Sequence, residues 1–213
     1  MTPSPHAALI GAALQKLRAG QAREADGLLQ SAIAQAPRDA DLLAVAAGVA
    51  RQLGRAGEAV ALLRRALAER PQFAPLHNSL GAALKAAGDL AGARDAFERA
   101  AQLQPDLFDA QFNLGLVLDA QGVHAEAVAA LRRASAIDPR RAEAHEALGN
   151  ALVHAGEPAQ GLAALRQAAA LRPSSASVAH NIGIAQEALG DDEAALAAFR
   201  DAVRLAPSQA LSW

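Results

Sequence analysis

Residues 74–107 read APLHNSLGAALKAAGDLAGARDAFERAAQLQPDL, and nearly every punctuating residue in this stretch returns elsewhere at one interval. Pro105 belongs to a series, Pro37, Pro71, Pro105, Pro139, Pro173 and Pro207, spaced by 34 residues throughout. A fixed period of this size implies one supersecondary unit per repeat. Gly88, seventeen residues before its proline, recurs as Gly20, Gly54, Gly122, Gly156 and Gly190. Ala100, five before, recurs as Ala32, Ala66, Ala134, Ala168 and Ala202. Ala93, twelve before, recurs as Ala25, Ala59, Ala127 and Ala195, with Gly161 as the one substitute. Phe97, eight before, is matched by Leu29, Leu63, Leu131, Leu165 and Phe199.

Each column has a physical reason. Glycine midway through the unit ends one helix, because it enters the left-handed conformation at little cost. Proline at the end of the unit stops the second helix, since it has no N–H for the i−4 carbonyl and restricts the residue before it. Between these stops, apolar residues three and four apart mark amphipathic helices. The small columns fall where two helices approach closely, and the Leu or Phe column fills the space beside them. First helices are predicted near 6–19, 40–53, 74–87, 108–121, 142–155 and 176–189. Second helices are predicted near 22–35, 56–69, 90–103, 124–137, 158–171 and 192–205.

Composition agrees with an all-α chain. Apolar residues make up 52% of the 213, but aromatics only 3%. Much of the remainder is Ala, a strong helix former too small for a thick β core. The absence of Cys excludes disulfides and zinc–thiolate sites. A formal charge of −2 supplies no field to attract nucleic acid or anionic lipid. Charged residues interrupt every apolar run, so no membrane span is expected. The start, Met1-Thr2-Pro3-Ser4-Pro5-His6, lacks the pattern of a secretory signal, which makes a cytoplasmic location the expectation.

The repeat resembles the tetratricopeptide family. Its Leu-Gly signature stands at Leu80-Gly81, Leu114-Gly115, Leu148-Gly149 and, with Ile, Ile182-Gly183. Its Ala, Phe, Ala, Pro run is complete at Ala93, Phe97, Ala100, Pro105 and at Ala195, Phe199, Ala202, Pro207. The first two units depart from it, with Ala12-Ala13 and Ala46-Ala47 in place of Leu-Gly. The resemblance implies one right-handed superhelical solenoid of helix-turn-helix repeats at 6–39, 40–73, 74–107, 108–141, 142–175 and 176–209. The start of a seventh repeat is expected at 210–213, and residues 1–5 are expected to form a flexible lead.

In this family the first helix of each pair lines the concave wall, so polar residues there are the candidate contacts. Asn113 and Asn181 share one offset from the proline, Asn78, Glu146 and His180 a neighbouring one, and Asn150 a third. An amide donates and accepts at once, which suits the backbone of an extended peptide. A further column, Leu17, Arg51, Lys85, Asp119, Val153 and Glu187, runs from basic to acidic. With Asp109 and Glu143 at its rim, the later groove is expected to lean acidic. Family members that grip acidic chaperone tails use Lys or Arg where this chain has Asn78, Asn113, Glu146 and Asn181, so that mode is not expected.

The second helices carry an arginine stripe, including Arg64, Arg65, Arg99, Arg132 and Arg133. Aromatics for base stacking are scarce, and acids stand one turn away, as in Arg94 with Glu98 and Arg65 with Glu69. A solvated outer face is the reading, with no nucleic-acid partner. The histidines, among them His77, His145, His124, His154 and His180, show no i, i+4 metal-ligand spacing, and packing or surface roles are expected. No phosphate loop, nucleophile elbow or calcium loop is present, so no cofactor, metal or catalysis is expected.

Two functions stay open on the sequence. One is a protein-interaction module holding an extended peptide or partner helix in its groove. The other is the N-terminal substrate-recruiting part of a longer enzyme of the glycosyltransferase, sulfotransferase or oxygenase type. Repeat arrays need a polar cap over their last apolar face. Leu196, Phe199 and Val203 are therefore expected to lack full cover, which points to a longer protein or to self-association at the uncapped end.

Overall fold

A computed structural model describes residues 6–207; the expected lead at 1–5 and the partial repeat Ala210-Leu211-Ser212-Trp213 lie outside the described residues. The described residues form twelve helices and no strand. These are α1 (Ala7–Arg18), α2 (Ala22–Gln35), α3 (Ala40–Gln52), α4 (Ala56–Glu69), α5 (Ala74–Ala86) and α6 (Leu90–Leu103), then α7 (Phe108–Ala120), α8 (His124–Ile137), α9 (Ala142–His154), α10 (Pro158–Leu171), α11 (Ala176–Glu187) and α12 (Asp192–Leu205). None of them is long and apolar enough to cross a membrane.

The second helices begin and end where predicted, while the first helices stop one or two residues early. The reason is the cap. Each mid-unit glycine takes a positive φ, between 75° at Gly20 and 85° at Gly88. Its N–H and that of the next residue then turn back onto the last helical carbonyls. In the second repeat Gly54 N donates to Arg51 O at 3.0 Å and Arg55 N to Ala50 O at 2.8 Å. This paired closure uses up the residues just before the glycine. At the other stop, the residue preceding each proline is pushed out of the helical region: Ala36 has φ −131° and Gln104 has φ −141°.

The chain divides into two compact units, Met1–Pro105 and Asp106–Trp213. Each contains three helix pairs. In the first unit α1 packs on α2, α3 on α4 and α5 on α6; in the second α7 packs on α8, α9 on α10 and α11 on α12. Successive first helices also touch, α1 with α3, α3 with α5, α7 with α9 and α9 with α11. Among the described residues, no two second helices of a unit touch. Helix pairs joined at their first helices and splayed at their second must curve with the first helices inside. That places a wall of first helices on the inner side of each unit.

The core shows why the columns exist. Ala59, Ala93 and Ala127 are wholly buried, as are Leu29, Leu131 and Leu165. A Cβ added to Gly81 would lie 2.6 Å from Cδ1 and Cε1 of Phe97, so the ring occupies the space that glycine leaves. The one break in the Ala column has a local cause. A Cβ on Gly161 would stand 2.8 Å from the carbonyl oxygen of Gly149, a backbone atom that cannot swing aside. α9 and α10 thus meet glycine to glycine. Where the first two repeats lack Leu-Gly, Ala13, Ala46 and Ala47 are still buried.

Surface ion pairs tie helices together both between repeats, as Arg38 with Glu69 at 2.7 Å, and within one, as Arg70 with Asp41. Arg94 and Glu98 pair within α6 at 2.7 Å, as predicted. Arg65 and Glu69 do not follow the prediction: Arg65 donates to the Pro37 carbonyl at 2.8 Å, and Glu69 accepts from Arg38. Such exposed pairs contribute at most about 1 kcal/mol each.

Candidate functional site

In the first unit, Asn78 sits half-buried on α5, while Arg51 and Lys85 occupy the exposed last turns of α3 and α5. The second unit carries the larger set. Asn113 lies on α7, Glu146 and Asn150 on α9, and His180 and Asn181 on α11, all half-buried. Two of these meet: Asn181 Nδ2 donates to Glu146 Oε1 at 3.2 Å, linking α11 to α9. The His180 ring lies 5.3 Å from that of Phe199 on α12, tilted by 49°.

Phe112 belongs to this wall and was not singled out from the sequence. It stands at the offset shared by Asn78, Glu146 and His180, so the same count from the proline would have found it. Its ring stacks on Phe108 at 5.5 Å and 18°, and the Arg141 guanidinium caps Phe108 at 4.1 Å. Arg141 also lies 3.3 Å from Asp109 and 3.2 Å from Glu143, and Arg172 reaches Glu143 at 2.7 Å. The expected acidic rim is therefore corrected. Asp109 and Glu143 are paired with arginines from the following repeat boundary, so the rim carries little net charge.

Asp119, one of the two acidic members of the basic-to-acidic column, is met by two imidazoles. His124 Nδ1 lies 2.9 Å from its Oδ1 and His154 Nδ1 3.0 Å from the same oxygen. These histidines are 30 residues apart in sequence, in different repeats, and chain spacing gave no sign of their meeting. His77 and His145 do the same job in two repeats: each ring Nε2–H donates to the carbonyl of the preceding proline, Pro71 at 2.8 Å and Pro139 at 3.0 Å. Away from the wall, Arg38 and Arg55 are held above the ordinary guanidinium range, chiefly by hydrogen bonds to Glu69 and Asp26 respectively.

Paired helices with this period and these small columns define a helical-repeat protein whose first helices line the inner side of each unit. Tetratricopeptide repeat models match residues 78–142 and 146–210, and a second such model matches 16–84. The chain belongs to the tetratricopeptide repeat family. No curated protein sequence matches it. Among solved structures it is similar to PilW, a widely conserved type IV pilus biogenesis factor, with a TM-score of 0.88, 20% identity and 99% of both chains covered. It is also similar to YrrB, described as a TPR protein with an unusual peptide-binding site, with a TM-score of 0.73, 22% identity, 86% of this chain and 96% of that one. MamA from Desulfovibrio magneticus RS-1 gives 0.74 and 24% identity over 80% of this chain and 96% of that one.

Proposed function

We propose that this chain is a protein-interaction module that holds an extended peptide segment of a partner protein on the first-helix wall of its second unit. One observation carries the reading: Phe112, Asn113, Glu146, Asn150 and Asn181 stand half-exposed together on the inner helices of one unit. Amides can bond a peptide backbone in either polarity, and Phe112 offers a flat apolar surface beside them. The paired rim leaves Glu146 as the charged group within this set, which favours a peptide with a basic side chain there. YrrB, of the same fold, is described as having a peptide-binding site.

The test is to select peptides from a displayed random library on the intact chain and measure their affinities by fluorescence anisotropy. Changing Asn113 and Asn181 together to Ala removes two hydrogen-bonding side chains worth about 1 kcal/mol each. The expected result is binding weakened about thirtyfold, since about 1.4 kcal/mol is a factor of ten. Unchanged affinity for every selected peptide would sink the wall as the binding surface.

A second surface is supported by exposure alone. Leu196 and Val203 on α12 are 49% and 43% exposed, with Leu189 beside the preceding turn at 45%. We infer that a second copy of the chain covers this apolar face. Light scattering should show mass rising with concentration, and Leu196→Lys should return the chain to a monomer. A monomer at all concentrations would refute it.

A further inference from the structure

The cluster at Asp119 has no counterpart elsewhere in the array. At the same offsets as Asp119, His124 and His154, other repeats place Lys85, Leu90 and Ala120, or Arg51, Ala56 and Ala86. The fold therefore does not require these three side chains for packing. Asp119 lies in the last turn of α7, His124 is the first residue of α8, and His154 is the last of α9. The turn through Gly122, at φ 77°, brings the start of α8 back beside the end of α7. The contact of α9 with α7 adds the third group.

Both imidazoles aim the same atom at the same carboxylate. His124 Nδ1 is 2.9 Å from Asp119 Oδ1, and His154 Nδ1 is 3.0 Å and 3.1 Å from its two oxygens. One ligand atom from each of the three residues lies within 4.8 Å of the others. The rings are tilted by 51° with centroids 5.4 Å apart, so they converge on the carboxylate and do not stack. In a tetrahedral ion with bonds near 2.1 Å, neighbouring donors stand about 3.4 Å apart. Opening the present hydrogen bonds by a few tenths of an ångström admits an ion. A carboxylate at the C-terminal end of α7 also faces the negative pole of its helix, where a cation is favoured.

We propose that Asp119, His124 and His154 bind a divalent late transition-metal ion of the zinc type, joining the fourth repeat to the fifth. Two imidazole nitrogens with one carboxylate oxygen suit zinc, nickel, cobalt or copper, and not magnesium or calcium, which take oxygen ligands. The ring nitrogens exchange an N–H for a lone pair toward the ion, with Nε2 keeping the proton of the neutral ring. Asp119 is 19% exposed, His124 33% and His154 52%, so the ion has an entry path. The cluster borders an open cavity of about 550 Å³ lined also by Glu126, Arg132 and Glu157, through which water completes the coordination. This proposal does not rest on the peptide-binding reading.

The experiment uses the untagged chain, stripped with chelator and titrated calorimetrically with zinc, nickel and magnesium. Zinc and nickel should bind one equivalent, and magnesium should not bind. Cobalt should give the strong visible bands of a tetrahedral or five-coordinate ion. His124→Ala and His154→Ala should each weaken zinc binding by about a hundredfold or more, beyond the loss seen when groups that merely support a metal ligand are removed. His77→Gln, which alters an imidazole of the first unit, should leave it unchanged. Zinc should shift the imidazole NMR signals of His124 and His154 but not that of His77. No saturable binding in the parent chain, or one-to-one binding that survives in the His124→Ala/His154→Ala double variant, would overturn the site. Unaltered circular dichroism in these variants keeps loss of folding from imitating loss of a ligand.

Discussion

Phe97→Ala is expected to destabilise the first unit by about 3–5 kcal/mol, the cost of removing a buried ring and leaving its cavity. Phe97 is 1% exposed, and its ring fills the place where a Cβ of residue 81 would be, 2.6 Å from that position. The sharper test is what Gly81→Ala then does. In the parent chain alanine gains about 1 kcal/mol of helix propensity, but it must displace a buried ring, at about 1–3 kcal/mol. The net effect is unfavourable. With Phe97 already reduced to Ala the obstacle is gone, and Gly81→Ala should become stabilising by about 1 kcal/mol. The two substitutions are therefore coupled by roughly 2 kcal/mol, within the range for residues in contact. Urea unfolding of the four proteins in the cycle measures it. If Gly81→Ala has the same sign in both backgrounds, Phe97 is not what requires glycine at that position.

Gly115→Leu should cost about 3 kcal/mol, at the upper end of overpacking penalties. A Cβ there would press on the branch of Leu131 and lie 2.8 Å from its Cδ2, and Leu131 is itself wholly buried. A leucine adds three more carbons beyond that Cβ, with α8 in the way. For a chain of this size the melting temperature should fall by about 6–12 °C. Gly11→Leu is the control. Gly11 is also helical, but a Cβ there meets nothing within 4 Å. That substitution should be neutral or stabilising by up to about 1 kcal/mol. Equal melting temperatures for the two variants would show that the Leu-Gly position of the fourth repeat is not a close contact.

The helices were legible because their stops are local. A proline ends a helix through its own ring and a glycine through its own φ, so both act wherever they stand in the chain. Repetition multiplied the signal: one weak cue at Gly88 or Pro105 became a column of six. Capping geometry was the part not visible in the pattern. The first helices lost their last residues to the paired turn around each glycine, whose returning N–H groups close on carbonyls one turn back.

The wall was only partly legible, and the reason is again physical. An offset from the proline tells which helix and which face carries a residue, and this placed Asn113, Asn150 and Asn181 on the inner helices. It does not tell what a long or aromatic side chain reaches. His180 turned to Phe199, Asp109 and Glu143 were taken up by Arg141 and Arg172, and Phe112 proved to be part of the wall.

By itself the sequence determined the helical-repeat architecture, the positions of its turns and the columns that must be small, because each of these follows from short-range sterics repeated at a fixed interval. Only the tertiary structure decided that Asp119, His124 and His154 share one place. Their meeting depends on the end of α7, the start of α8 and the end of α9 converging in space, and no spacing along the chain encodes that convergence.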